Sequence, residues 1–489
     1  MNKRLAGTLL AILIIVIGGL RLTFALSTDS LTFDGYQHAR FVEQILETGT
    51  PLREDLLSFG GREHAYSPLY YYFIAPFALV MGVELALKTV PNIFYLAAIA
   101  LVYLIAYEVS RNRTASILAT ILAALTPITF SQYINNGSPY TLAIPLFLGI
   151  TYALLKPEKR LPLLVVLGIA LGLVSPLALL LLGGIIIFLI IMSLEGMKTE
   201  ESYLEILFFL LFFSLWSIMV LFKEVFFSKG IASIWAYIPS SILTSYYSSF
   251  TLITAIATIG ALPLIFASHA AHHTLFVRRK KNAILVLGMI LAVTSALIAK
   301  LVPLESGIVL LTFLLSILSA HSISILLGYF EKTKAPRLQY FALSIVLFFF
   351  LFASLFPALS LAQDATENIP SQDHYSVAEF LRNETVLAAP QEGFFFQYHA
   401  VATMTDLDFL LVEDAEQRYE MTEEVYRARF VLPVLEASEK YGFEYIVFSE
   451  IAKQEYAREQ LLFLGNCLRP AYGTESIEVF EVICDVKKS

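Results

Sequence analysis

Apolar windows of about 15 to 25 residues recur from Leu5 to Ala362, each long enough to cross a ~30 Å hydrocarbon layer as a helix. With 57% hydrophobic and only 15% charged residues, the chain cannot cover such a core with a water-facing surface. A polytopic α-helical membrane protein is the fold class that satisfies both observations. The first window, 5–26, follows "MNKR" and resembles a secretion signal; it is longer than a usual signal core and lacks a small-x-small cleavage site, so it reads as a retained span.

Charge divides the chain at residue 363. Residues 363–489 hold 24 of the 41 acids and 10 of the 33 bases, a net −14 against +6 for residues 1–362. Two regions follow: a transmembrane domain over 1–362 and a soluble acidic domain over 363–489. About eleven spans, with the N-terminus inside, place "MNKR", "RNR", "KPEKR", "EGMKTEES", "HAAHHTLFVRRKKN" and "EKTKAPR" on the inner face. These segments carry 15 of the 23 bases upstream of residue 363, the positive-inside pattern. The count requires residues 67–82, with Pro68 and Pro76, to lie along the outer face rather than cross. The N-terminus is then cytoplasmic, residues 27–87 form the first outer loop, and the acidic tail is extracytoplasmic, with the whole chain in a cell membrane.

The tail alternates like strands at "FEYIVFSE" and "IEVFEVICD" and is helical at "YEMTEEVYRARFVLPVLEASEKYG", so it reads as α/β. Cys467 and Cys484 flank the turn-like "AYGTES". A hairpin there brings them within reach of a disulfide, and two buried free thiols are the other reading.

In the first outer loop, "LTFDGYQHARFVEQILETGTP" predicts a helix from Asp34 to about Thr48, stopped by Gly49 with Pro51 beyond. Asp34-x-x-Gln37 has the form of a capping box, in which Asp34 accepts backbone N–H bonds and Gln37 reaches back. Phe41, Val42, Ile45 and Leu46 give an apolar face, and Arg40, Glu43 and Glu47 can pair at helical spacing. His38 follows Asp34 by one turn on the same face. Glu54, Asp55, Arg62, Glu63 and His64 make a polar cluster farther on, readable as a substrate-binding surface or as a solvated loop, with Gly60 and Gly61 suited to a mobile turn.

The order of parts is itself a pattern: a first span, "FDGYQHARFVEQILETG", "SPLYYYFIAPFALVMG", a span ending in bases, and a span leading to "SQYINNGSPY". It resembles the GT-C glycosyltransferases, which use polyprenyl-phosphate-linked sugars. The acid, Tyr36, His38, Arg40 and "VEQILETG" are most similar to the first outer loop of oligosaccharyltransferase catalytic subunits. "SPLYYYFIAPF" is similar to a stretch of the dolichyl-phosphate-mannose and aminoarabinose transferases. The resemblance implies a polyprenyl-phosphate sugar donor held at headgroup depth among membrane lipids, and a glycan, lipid or protein acceptor. It also implies that Asp34 deprotonates the acceptor or holds a divalent cation, Mg or Mn. His38 would be a second ligand or a donor to phosphate, with Arg40, Arg62 and His64 lining the substrate side.

Three segments depart from the family. Where oligosaccharyltransferases carry an acidic second outer loop, this chain offers Asn135 and Asn136, whose uncharged carbonyls bind hard cations poorly alone. The loop from Lys223 to Phe250 lacks the sequon-clamping acidic motif and offers Lys223 and Lys229 as phosphate contacts or as snorkelling lysines. Where a Trp-Trp-Asp motif is expected the chain reads "AAPQEG", which argues against transfer to Asn-x-Ser/Thr sites. The rival classes are a transporter or lipid flippase and a non-catalytic scaffold of the same fold. A transporter predicts ionisable groups at the membrane midplane and internal repeats; only His321 is clearly interior, and no repeat is evident. His269, His272 and His273 belong to the basic inner loop, and nothing in the chain points to nucleic acid.

Overall fold

A computed structural model describes residues 1–229, 251–332, 338–463, 465 and 467–484. The membrane part opens with α1 (Lys3–Leu26), α2 (Gly35–Thr48), α3 (Leu69–Met81) and α4 (Val83–Ser110). Among the described residues seven helices are long and apolar enough to cross a membrane, or eight if the bent pair below is one span. This is a multi-pass membrane protein. The helices Arg113–Ala124 and Tyr140–Leu154 are apolar but short.

Two apolar stretches that the eleven-span count takes as continuous, 114–132 and 248–268, break, each for a local reason. The segment 114–132 stops at Ala124, because Pro127 cannot continue the ladder, and resumes as the short helix Pro127–Ser131. The segment 248–268 is two helices, Leu252–Ile259 and Ala261–His272, bent by 92° at Gly260, whose φ of +83° suits glycine. The segment 67–82 is mostly α3, which packs on α2 and α4. The helix Leu304–Glu331 is the most buried of the long ones and is surrounded by α4, Arg113–Ala124, Ala261–His272 and Lys281–Ile298.

The tail is a five-stranded sheet ordered β4-β3-β5-β7-β6, with β3 at Thr385–Leu387, β4 at Ala402–Thr403, β5 at Tyr445–Ser449, β6 at Leu468–Gly473 and β7 at Ile477–Val482. β3 runs parallel to both neighbours, whereas β7 pairs antiparallel with β5 and β6. Cys467 and Cys484 are joined beside the β6–β7 hairpin, with their Cα atoms 4.9 Å apart.

The first outer loop does not float over this domain. Its two short strands, β1 (Glu54–Asp55) and β2 (Arg62–Glu63), form a hairpin whose tip turns through Phe59, Gly60 and Gly61, all at positive φ. The Phe59 amide donates to the Thr403 carbonyl (2.9 Å) and the Thr403 amide donates to that of Leu57 (2.8 Å), so the loop adds an edge beside β4. The Phe59 ring is buried with Phe409, Val412 and Ala415.

Candidate active site at the head of the first outer helix

The capping box does not form. Asp34 stands at the N-cap position in right-handed helical conformation and its carboxylate caps nothing, while Gln37 donates instead to Asp408 of the outer domain (3.1 Å). The Asp34 side chain is exposed, yet enough protein surrounds it to push its pKa up to about 6, burial first and the Glu305 carboxylate second.

Glu305 has no counterpart in the sequence reading. It lies in the first turn of Leu304–Glu331, just after Pro303, and accepts from Gln132 Nε2 (2.5 Å). Gln132 is held through an arginine that the sequence reading also passed over. Arg21, fully buried in α1, donates to Asn92 Oδ1 (2.7 Å) and to the carbonyls of Thr129 (3.1 Å), Phe130 and Gln132 (3.0 Å), and lies over the Tyr95 ring. One guanidinium thus satisfies the carbonyls freed where the Pro127–Ser131 helix ends. Its only sequence signal is an arginine inside an otherwise apolar span.

The second outer loop closes the other side. Thr32 N–H donates to Asn135 O (3.2 Å), and a Cβ on Gly35 would lie 3.0 Å from that oxygen, so glycine permits the approach. Asn135 is buried, and with its amide nitrogen toward the Ala25 and Ile134 carbonyls its oxygen accepts from Thr28. Asn136 Oδ1 accepts from the Ser138 amide (2.9 Å). Both amides shape the loop beside Asp34.

The remaining candidates separate. His38 meets the Tyr71 hydroxyl at 2.9 Å, tying α2 to α3, and burial pushes its pKa down to about 4 against the pull of Asp408, so the ring is neutral. Arg40, Arg62 and His64 leave the Asp34 neighbourhood for a junction with the outer domain. Arg40 forks onto Asp55 with two bonds of 2.7 Å and donates to Gln397 (2.8 Å). His64 bridges Asp55 (3.0 Å) and Asp408 (3.5 Å). Arg62 pairs with Asp408 (3.2 Å) and Asp406 (3.6 Å), and Asp406 also accepts from Ser58 (2.6 Å) and Gln397 (2.7 Å).

Burial alone would raise the Asp55 and Asp408 carboxyls. Hydrogen bonds from His64 and Arg40 on Asp55, and the Arg62 charge with His64 on Asp408, outweigh it and hold both well below the usual range. Lys223 is exposed, 3.8 Å from Glu224. Lys229 ends the helix Lys223–Lys229, and its side chain and the rest of that loop, 230–250, lie outside the described residues.

Among the described residues no three His, Cys, Asp or Glu side chains form a group that could hold a metal ion. The Asp34 and Glu305 carboxylates act on each other through charge, and hard oxygen donors of this kind are what Mg²⁺ or Mn²⁺ takes. His38 is already engaged with Tyr71. Beside α3 a cavity of about 230 Å³ is lined by Tyr66, Ser67, Tyr71, Pro139, Tyr140 and Phe222, among others.

The fold as a whole, a membrane bundle followed by a sheet-containing domain, is similar to that of solved structures. The Archaeoglobus fulgidus oligosaccharyltransferase matches with a TM-score of 0.66 at 12% identity, over 94% of this chain and 72% of that one. ArnT from Cupriavidus metallidurans, bound to undecaprenyl phosphate, matches with a TM-score of 0.56 at 9% identity over 98% of both chains. The mycobacterial arabinofuranosyltransferase AftD matches with a TM-score of 0.55 at 13% identity, over 99% of this chain and 40% of that one.

The chain has the GT-C fold.

No family model matches its sequence, and no curated protein does. At these identities the GT-C likeness is one of architecture.

Proposed function

We propose that this GT-C protein is a membrane glycosyltransferase that moves a sugar from a polyprenyl-phosphate-linked donor to an extracytoplasmic glycan, lipid or protein acceptor. The observation that carries the reading is Asp34: an open, uncapped carboxylate at the head of the first outer helix, between the membrane bundle and the outer domain. An Archaeoglobus fulgidus relative in the fold was solved with a dolichol-phosphate and an inhibitory peptide, and ArnT with undecaprenyl phosphate.

In this reaction the acceptor oxygen or nitrogen forms a bond to the sugar's anomeric carbon, the bond from that carbon to the donor phosphate breaks, and the polyprenyl phosphate leaves. Asp34 takes the acceptor's proton. A pKa near 6 leaves it ionised at neutral pH while keeping it a stronger base than a surface aspartate. In the alternative role Asp34 is a ligand rather than the base, and with Glu305 would hold a divalent cation, which when bound supplies positive charge to the leaving phosphate. The neutral His38 and Tyr71 set α2 against α3, and the aromatic cavity beside α3 suits the first isoprene units of the carrier. Orientation follows the positive-inside rule, with the N-terminus cytoplasmic and the outer domain outside.

The test is transfer by the purified protein from radiolabelled polyprenyl-phosphate sugars. Asp34→Asn should lower the rate by at least about 100-fold, the usual worth of a general base. Transfer by that variant at near the wild-type rate would end the assignment.

A further inference from the structure

At the end of the bundle opposite Asp34, a second polar cluster has no role in the transfer reaction. The helix Ala261–His272 runs into a π-helical turn at His273–Val277, a form that recurs at functional sites. The turn packs where Leu304–Glu331 presents His321, sixteen residues and so roughly 24 Å along the helix from Glu305. His321 is 1% exposed, its ring lies 5.3 Å from that of His273, and Lys280 Nζ stands 3.3 Å from its Nδ1. His269 Nδ1 meets Ser322 Oγ at 2.7 Å.

The chemistry of the Lys280 contact fixes the His321 tautomer. A protonated lysine has only donors, so Nδ1 accepts and Nε2 carries the ring proton. Among the described residues that Nε2–H has no partner, and neither have His273 Nδ1 and Thr274 Oγ1, all three buried. Orphaned polar groups at such a density call for a ligand or ordered water. The charges acting on Lys280 are those of Arg278 and Arg111, both of its own sign. A cation is repelled from this place, and an anion with several acceptor oxygens is attracted to it.

We propose that the His321, His273, Thr274 and Lys280 cluster, with Arg278 at its rim, binds a phosphate group, supplied by a membrane-lipid headgroup or by a soluble phosphate ester. Basic pockets between transmembrane helices are known headgroup sites, each lysine or arginine near an anionic surface contributing about 1 kcal/mol. The site sits at the basic end of the bundle, where the lysines and arginines of 278–281 meet the headgroup zone.

The experiment is the thermal midpoint of the delipidated full-length protein, titrated separately with dioleoyl phosphatidylglycerol, with phosphate-free dioleoylglycerol, and with inorganic phosphate against matched chloride. The Arg278→Gln/Lys280→Gln double variant removes the rim charge and the cluster's ammonium, and His321→Phe keeps a ring while removing the donor. A midpoint rise with phosphatidylglycerol alone assigns the site to a lipid headgroup, and a rise with inorganic phosphate as well assigns it to phosphate from either source. In both cases the double variant should need at least about tenfold more ligand for the same shift. No rise with either phosphate probe, or equal responses from wild type and both variants, overturns the proposal.

Discussion

Two parts of one outer loop treat charge in opposite ways. Residues 40–64 bring Arg40, Arg62 and His64 against Asp55, Asp406 and Asp408, so that three basic groups meet three carboxylates once His64 is protonated, as its two acid contacts require. A few residues upstream, Asp34 is acted on by another carboxylate, Glu305, makes no ion pair among the described residues, and does not cap the helix it heads. The paired region ties the loop down, and the acid without an ion pair is where the proposed chemistry is placed. On the proposed function, stability and chemistry fall to neighbouring stretches of the same outer loop.

The comparison breaks most visibly if the clamp is opened. Arg62→Ala leaves the buried Asp406 with no charge partner and Asp408 with His64 alone, and should destabilise the protein by about 3–5 kcal/mol, read as a lower thermal midpoint or faster proteolysis between loop and outer domain. A smaller effect sharpens the other half. The pH profile of kcat/KM should rise about tenfold per unit on its acid side with an apparent pKa near 6, because Asp34 must be ionised to act. Glu305→Gln removes the like charge and should move that limb to lower pH, whatever it does to the maximum rate. Smaller still is the His64 effect. Burial opposes its charge, but hydrogen bonds to Asp408 and Asp55 outweigh it and raise its pKa, so its stabilisation is complete below the ordinary histidine pKa of about 6.5 and fades as pH rises through the folded value. The midpoint should fall modestly from pH 7 to 9 in wild type and stay flatter in His64→Gln.

How much of this was legible in the sequence depended on how far apart the partners lie. The outer helix ends at Thr48 with Gly49 left-handed, as its stop signals said, and the tail is α/β with its cysteines beside a hairpin. Those are local patterns. Gln37 satisfied the local grammar of a capping box yet bonds to Asp408, 371 residues away. Arg62 and His64 read equally well as a solvated loop because their partners Asp406 and Asp408 lie in another domain, and Asp55 is drawn in with them through His64 and Arg40. Glu305 and Arg21 were passed over for the same reason: each is one charged residue in an apolar stretch, and its meaning comes from a helix elsewhere in the chain.

The most direct test is the thermal midpoint of Asp34→Asn against wild type at pH 7.5, taken on the same preparation as the transfer assay. The Asp34 pKa is raised on folding, so its ionised form costs stability that is regained only as pH falls from about 6 toward 4. An asparagine there removes that cost at pH 7.5. The account predicts a midpoint equal to or above wild type together with a transfer rate at least about 100-fold lower. A lower midpoint with transfer retained would contradict it and return Asp34 to the role of a structural residue.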